Sequence, residues 1–208
     1  MNSTLGLCIR QERLVAQRNG LTINTNRLLP RQLWVLVDSI SHAFETILRN
    51  MVYLVGVEHL KTQWIDEYES NARFVSLFIN SLRQDVKKFK VEVIADELNE
   101  DELAGYNVSK SSSSGYIVAR EYQIEHIFCD PNLREREDLS IPAPPYTSEQ
   151  NRKSDFQKRE RFWLDKIIYL KEKPVVFICG RNHVESFRHL LEANGFWVTV
   201  LSKYLSWP

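Results

Sequence analysis

Residues 174–201, PVVFICGRNHVESFRHLLEANGFWVTVL, decide the fold. The apolar run at its start predicts a strand that is buried on both faces. The apolar spacing after His183 predicts an amphipathic helix, and Gly195 is the residue type that commonly ends one. The final run FWVTVL predicts another strand. The order strand, helix, strand is typical of a parallel α/β sheet.

The same alternation extends towards the amino terminus. Three further strands are predicted from short apolar runs, at 51–55, 91–95 and 124–128. Helices are predicted in the intervals, at about 64–88, 115–122 and 148–171. The expected fold is therefore α/β, with a mostly parallel sheet flanked by helices on both faces. The stretch 131–145 carries four of the seven prolines and is expected to be an ordered loop or a lid, without helix or strand.

Residues 1–50 precede this pattern and are predicted to form an extension to a core domain over 51–208. An amphipathic helix is predicted to begin at Pro30 and end near Asn50. Its apolar stripe consists of Leu33, Trp34, Val37, Ile40, Phe44, Ile47 and Leu48. A stripe of this size needs a cover, so we expect the helix to pack on the sheet layer or across a homodimer interface.

Composition argues against several classes of protein. Lys plus Arg and Asp plus Glu number 27 each, so the net charge is zero and general nucleic-acid binding is not favoured. No apolar run approaches the ~18–20 residues of a membrane span, and charged residues at 10, 12 and 13 interrupt the place of an export signal. The three cysteines form no CxxC pair. These features predict a cytoplasmic protein without a membrane partner.

Two predicted strands end in the same motif, GxxH. GVEH covers 56–59 and GRNH covers 180–183, whereas roughly 0.17 such matches are expected by chance from seven glycines and five histidines. The carboxyl ends of parallel strands meet at one edge, where open α/β sheets bind ligands. His59 and His183 are therefore predicted to line one cleft, beyond the strand ends and outside the core. For either histidine alone, the alternative is a helix cap or a backbone hydrogen bond.

A carboxylate pair, Asp96 and Glu97, follows the strand at 91–95. One of the two is expected to face the cleft and the other to face outward, with Glu97 the better candidate for the cleft. A carboxylate with two imidazoles can bind a divalent metal, and it can equally orient a histidine that acts as general base. The alternative is an acidic helix N-terminus, which complements the helix dipole.

The segment KRERFWL, residues 158–164, is predicted to lie on a helix whose aromatic residues pack on the sheet. That packing turns Arg159 or Arg161 towards the cleft, where a guanidinium can bind a phosphate or carboxylate. A solvated charged face is the alternative for either arginine.

Further substrate contacts are predicted in the two motifs and after the third strand, at Gly56, Glu58, Gly180, Arg181, Asn182 and Asp130. His126 lies inside that strand and is expected in the core. Cys179 is expected to be a small buried residue, although a nucleophile close to His183 is the alternative.

These segments resemble the TraB, ChaN and erythromycin-esterase-like superfamily. That group is recognised by two GxxH motifs, an acidic residue between them, and an arginine on the helix before the second motif. The resemblance covers about residues 51–201, and its matching segments are GVEH at 56–59, Glu97, KRERFWL at 158–164 and VVFICGRNHVESFRHLLEANGFWVTVL at 175–201. Within the superfamily some members resemble metal-dependent peptidases, some are esterases that use a histidine base without metal, and some bind haem.

Two functions follow as expectations. The first is a hydrolase, in which water attacks an ester, phosphoester or peptide bond of a small-molecule or peptide substrate. The water is activated by a histidine base or by a divalent metal held by His59, Glu97 and His183, with Arg159 or Arg161 stabilising negative charge. The second is a non-catalytic module that holds a nucleotide, haem or a partner protein in the same cleft.

Overall fold

The computed structural model describes residues 50–58, 72–142 and 148–201. The helix predicted to begin at Pro30 and the site residue His59 fall outside these ranges. The division into residues 1–50 and 51–208 therefore stays a prediction.

Five parallel strands form one sheet in the order β3-β2-β4-β1-β5. They are β1 (Met51–Val57), β2 (Val93–Asp96), β3 (Glu125–Phe128), β4 (Val175–Gly180) and β5 (Trp197–Val200). Every residue of β4 is buried, because β4 lies between β1 and β2 in the middle of the sheet and is covered on both faces. The predicted α/β fold with a parallel sheet is confirmed.

Helices cover both faces of the sheet. The described helices are α1 (Ala72–Phe89), α2 (Glu100–Gly105), α3 (Ser114–Tyr122), α4 (Leu133–Asp138), α5 (Glu149–Ile167) and α6 (Val184–Ala193), and α1, α3, α5 and α6 pack on the sheet. On one face, α1 and α3 pack on residues that include Val55 and Ile178. On the other, α5 and α6 bring Trp163 and Phe187 against Phe177. The strands can serve two cores because successive side chains point to opposite faces.

The expectation of a loop without helix over 131–145 is wrong for residues 133–138, which form α4. A capping box starts this helix: the Glu135 amide donates to Asn132 Oδ1 over 2.9 Å, and the Asn132 amide donates to Glu135 Oε2 over 2.8 Å. The prolines of the segment flank the helix and do not interrupt it.

The described helices that follow the two middle strands β1 and β4 lie on opposite faces of the sheet. The next described helix after β1 is α1, on one face, whereas β4 runs into α6 on the other. Neighbouring strands whose connections diverge in this way leave a crevice at their carboxyl ends. In the described ranges, the structure contains no helix whose length and apolar character suit a membrane crossing.

Candidate functional site

A pocket of about 310 Å³ opens at this crevice. Its walls come from the ends of β1, β2 and β4 and from α5: Val57, Glu58, Glu97, Phe156, Arg159, Gly180, Arg181, Asn182 and His183. Seven of the predicted site residues are among them, namely Glu58, Glu97, Arg159, Gly180, Arg181, Asn182 and His183. The pocket therefore lies at the sheet edge that the two GxxH motifs indicate.

His183 forms one wall of the pocket and is held from several sides. The chain turns after β4, with the His183 amide donating to the Gly180 carbonyl over 2.9 Å, and His183 is the residue that directly precedes α6. Its Nδ1 lies 2.8 Å from Glu160 Oε1, which also accepts a hydrogen bond from the Ser186 hydroxyl over 2.6 Å. The Phe156 ring lies 3.9 Å from the imidazole, centroid to centroid. The side chain is 4% exposed, so the expectation that His183 lies outside the core is wrong.

Glu160 was missed by the sequence reasoning, although it is buried and contacts His183 directly. It lies within a charged run that reads as a solvated face. The signal that identifies it is helical spacing, since Glu160 shares the three- and four-residue intervals of Phe156, Trp163 and Leu164. A carboxylate in an apolar stripe needs a buried partner.

Glu97 joins three elements of the site. Its amide donates to the Ile178 carbonyl over 2.8 Å, which continues the pairing of β2 with β4. Its Oε2 accepts a hydrogen bond from the Gly180 amide over 2.6 Å, and its Oε1 accepts one from Arg159 Nη2 over 2.6 Å. The same Oε1 lies 3.5 Å from His183 Nε2. Glu97 therefore lines the pocket. It does not lie at the N-terminus of the following helix α2, where Asn99 is the capping residue.

Arg159 is the arginine that α5 turns to the pocket. Its Nε donates to Asp130 Oδ1 over 2.7 Å, and its Nη1 lies 3.7 Å from Asp155 Oδ2. Burial alone would lower the pKa of Arg159, but attraction to Glu97 and Asp130 outweighs burial and raises the pKa above its ordinary value. Arg161 is exposed on the same helix.

Asp130 lies behind Arg159 as the acceptor of three side chains. Besides Arg159, Arg136 Nη2 donates to it over 2.8 Å and Trp163 Nε1 donates over 2.9 Å. Burial would raise the pKa of the carboxyl, but the charges and hydrogen bonds of Arg159 and Arg136 lower the pKa below its usual value. Asp130, which the sequence predicts as a substrate contact, is thus a buried carboxylate that already accepts hydrogen bonds from side chains of the protein itself.

The other predicted substrate contacts divide into two groups. Glu58, Gly180, Arg181 and Asn182 line the pocket, and the side chains of Arg181 and Asn182 are exposed at its rim. Gly56 lies inside β1, opposite Cys179, because β1 continues for two residues beyond the predicted end of the strand at 55. The relation between His59 and His183 lies outside the described residues.

Asp96 belongs to a separate buried cluster on the face covered by α3. Its Oδ2 lies 2.7 Å from His126 Nε2, and a side chain at Gly115 would collide with its carboxylate. The expectation that one member of the Asp96–Glu97 pair faces outward is therefore wrong, since both are buried. His126 is confirmed as a core residue, with 4% of its side chain exposed.

Cys179 and Cys129 are fully buried. Burial raises the pKa of both thiols, which keeps them protonated at neutral pH. Cys179 is thus the small buried residue that the sequence predicts.

The described residues of the site do not fit a divalent metal in this arrangement. Both Glu97 oxygens already accept hydrogen bonds, and Nδ1 of His183 contacts Glu160. A metal shared by Glu97 and His183 would compete with Arg159 for Glu97 Oε1, and the charge of the guanidinium would weaken its binding. Over the ranges that the structure describes, no group of three or more His, Cys, Asp or Glu residues is arranged to hold a metal ion. The third predicted ligand, His59, is outside those ranges.

Comparison with protein-family models, curated proteins and solved structures gives no match for this chain.

Proposed function

We propose that this protein is a hydrolase in which His183 is the general base. The contact that carries the proposal joins His183 Nδ1 to Glu160 Oε1 over 2.8 Å. An ionised carboxylate accepts hydrogen bonds only, so Glu160 favours the tautomer with the proton on Nδ1. Nε2 then keeps its lone pair, as a base requires.

The chemistry uses a water molecule as nucleophile. His183 Nε2 takes a proton from the water as its oxygen attacks an ester, phosphoester or peptide bond, and the imidazolium then returns a proton to the leaving group. Glu97 Oε1, 3.5 Å from Nε2, and Glu160 on the other side stabilise the imidazolium while it exists. Arg181 and Asn182, exposed at the rim, offer donors to the substrate.

A second candidate function is a non-catalytic module that holds a nucleotide or haem in the same pocket. The observation that favours this second candidate is the pairing of Arg159 with both Glu97 and Asp130. Charges that pair with each other inside a protein can have a structural role without any role in catalysis. Membership of the TraB, ChaN and erythromycin-esterase-like superfamily, a cytoplasmic location and a homodimer through the predicted N-terminal helix are also proposals, based on sequence motifs.

The test is a screen of generic ester, phosphodiester and peptide substrates with His183→Asn and the matched control His189→Asn. Asparagine can still donate to Glu160 but lacks Nε2, whereas His189 is an exposed histidine on the same helix. We expect His183→Asn to lose about a hundredfold or more in rate while remaining folded, and His189→Asn to match the wild type. Equal turnover by the wild type, His183→Asn and His189→Asn would refute the proposal that His183 is the general base. A coloured preparation with a haem absorption band and no turnover would favour the second candidate.

A further inference from the structure

The pocket contains a permanent cation, the guanidinium of Arg159. Its side chain is 12% exposed, and its Nη2 donates to Glu97 Oε1 over 2.6 Å. This oxygen also lies 3.5 Å from His183 Nε2. It is therefore the Glu97 oxygen that a metal shared with His183 would coordinate.

The guanidinium is also held by groups other than Glu97. Asp130 Oδ1 accepts from its Nε over 2.7 Å, and the Trp163 ring lies 5.2 Å from its central carbon. Asp130 is in turn held by Arg136 and by the Trp163 indole. A cation with this many partners has little freedom to swing out and admit another.

We infer that Arg159 is the built-in cation of this pocket, that it holds Glu97 in the place where the sequence predicts a divalent metal, and that Asp130 is its positioning residue. The inference goes beyond the proposed hydrolase, because it concerns how Glu97 is held and applies with or without turnover. Its consequence is a pocket that retains its arrangement without metal.

The experiment uses the full chain purified without chelator. Elemental analysis gives the metal content, and melting temperatures are then measured against added Zn²⁺ and Mn²⁺. We expect wild type to carry well below one metal ion per chain and to melt at the same temperature with either metal. Arg161→Gln, a change at an exposed arginine on the same helix, should behave in the same way.

Arg159→Gln should differ in two respects. It should melt several degrees lower, because Glu97 and Asp130 lose their shared counter-charge, and Zn²⁺ should raise its melting temperature, because Glu97 Oε1 and His183 Nε2 become available to a metal. A merely structural arginine would give the first effect without the second. If Arg159→Gln does not fold, Asp130→Asn replaces it, with a lower melting temperature and partial Zn²⁺ stabilisation expected.

The inference is overturned if wild type contains one metal ion per chain, or if the variant used shows no stabilisation by Zn²⁺. Neither result depends on turnover. A protein without hydrolase activity therefore contradicts the proposed function and leaves this inference to be decided by the metal content and the melting temperatures.

Discussion

The Gly180 amide donates a hydrogen bond to Oε2 of Glu97 over 2.6 Å, which joins residues 83 positions apart in the chain. The regular pairing of β2 with β4 ends at Asp96 and Ile178, and the Glu97 amide adds one more bond to Ile178. The Glu97 side chain then takes the position of the next pairing partner. Glu97 therefore both lines the pocket and extends the hydrogen bonding between β2 and β4.

Glu97→Gln is expected to destabilise the protein strongly. The amide keeps the shape of the side chain but removes the charge opposite Arg159, which leaves a guanidinium only 12% exposed with one carboxylate fewer. Because Asp130 still lies opposite the guanidinium, the loss is that of a buried hydrogen bond to a charged group, about 1–3 kcal/mol. The measurement is the free energy of unfolding from urea denaturation.

The matched control is Glu100→Gln, at a glutamate whose side chain is 68% exposed. Its effect should stay within about 0.5 kcal/mol. Similar losses in the two variants would show that Glu97 contributes no more than a surface carboxylate.

Asp130 is expected to make the stability of the fold depend on acid pH. Arg159 and Arg136 hold the pKa of its carboxyl below the ordinary value, so the folded state keeps the carboxylate ionised at a pH where the unfolded chain binds a proton. Its contribution is complete above the unfolded pKa of about 3.9 and is lost as the pH falls below that value through the folded pKa.

The check is urea denaturation between neutral pH and pH 3 for wild type, Asp130→Asn and Asp165→Asn, the last at an exposed aspartate on α5. Wild type and Asp165→Asn should lose stability more steeply in acid than Asp130→Asn, which starts lower. Parallel curves for all three proteins would contradict the role of Asp130.

Gly115→Ala is expected to destabilise the fold because the added methyl group meets the buried Asp96 carboxylate, which also lies 2.7 Å from His126. Overpacking of this kind costs about 1–3 kcal/mol. Gly105→Ala is the control, since a side chain there has open space around it. Thermal unfolding of both variants tests the difference, and equal melting temperatures would mean that Asp96 moves aside without cost.

The central sheet could be predicted from sequence because β1 and β4 are apolar throughout, as strands covered on both faces are. Glu97 could be assigned to the pocket because it directly follows a strand. Arg159 could be assigned to it because it precedes the sheet-packing residue Trp163 by about one helical turn. The helical spacing of Glu160 predicts that it is buried, but neither its spacing nor the charge of Asp130 reveals which side chains pair with these two carboxylates. The prolines of residues 131–145 led to the prediction of a loop, so α4 was not predicted, although Asn132 and Glu135 have the spacing of a capping box.

The position of β4 has a consequence for how the chain folds during synthesis. β4 is the only described strand that pairs with both β1 and β2, and it is made fourth of the five. Until residues 175–180 leave the ribosome, β2 can pair with β3, while β1 has no described partner at all. The nascent chain therefore carries the apolar strand β1 without its described partners through more than a hundred residues of translation, and an unpaired apolar strand is the kind of segment that favours aggregation.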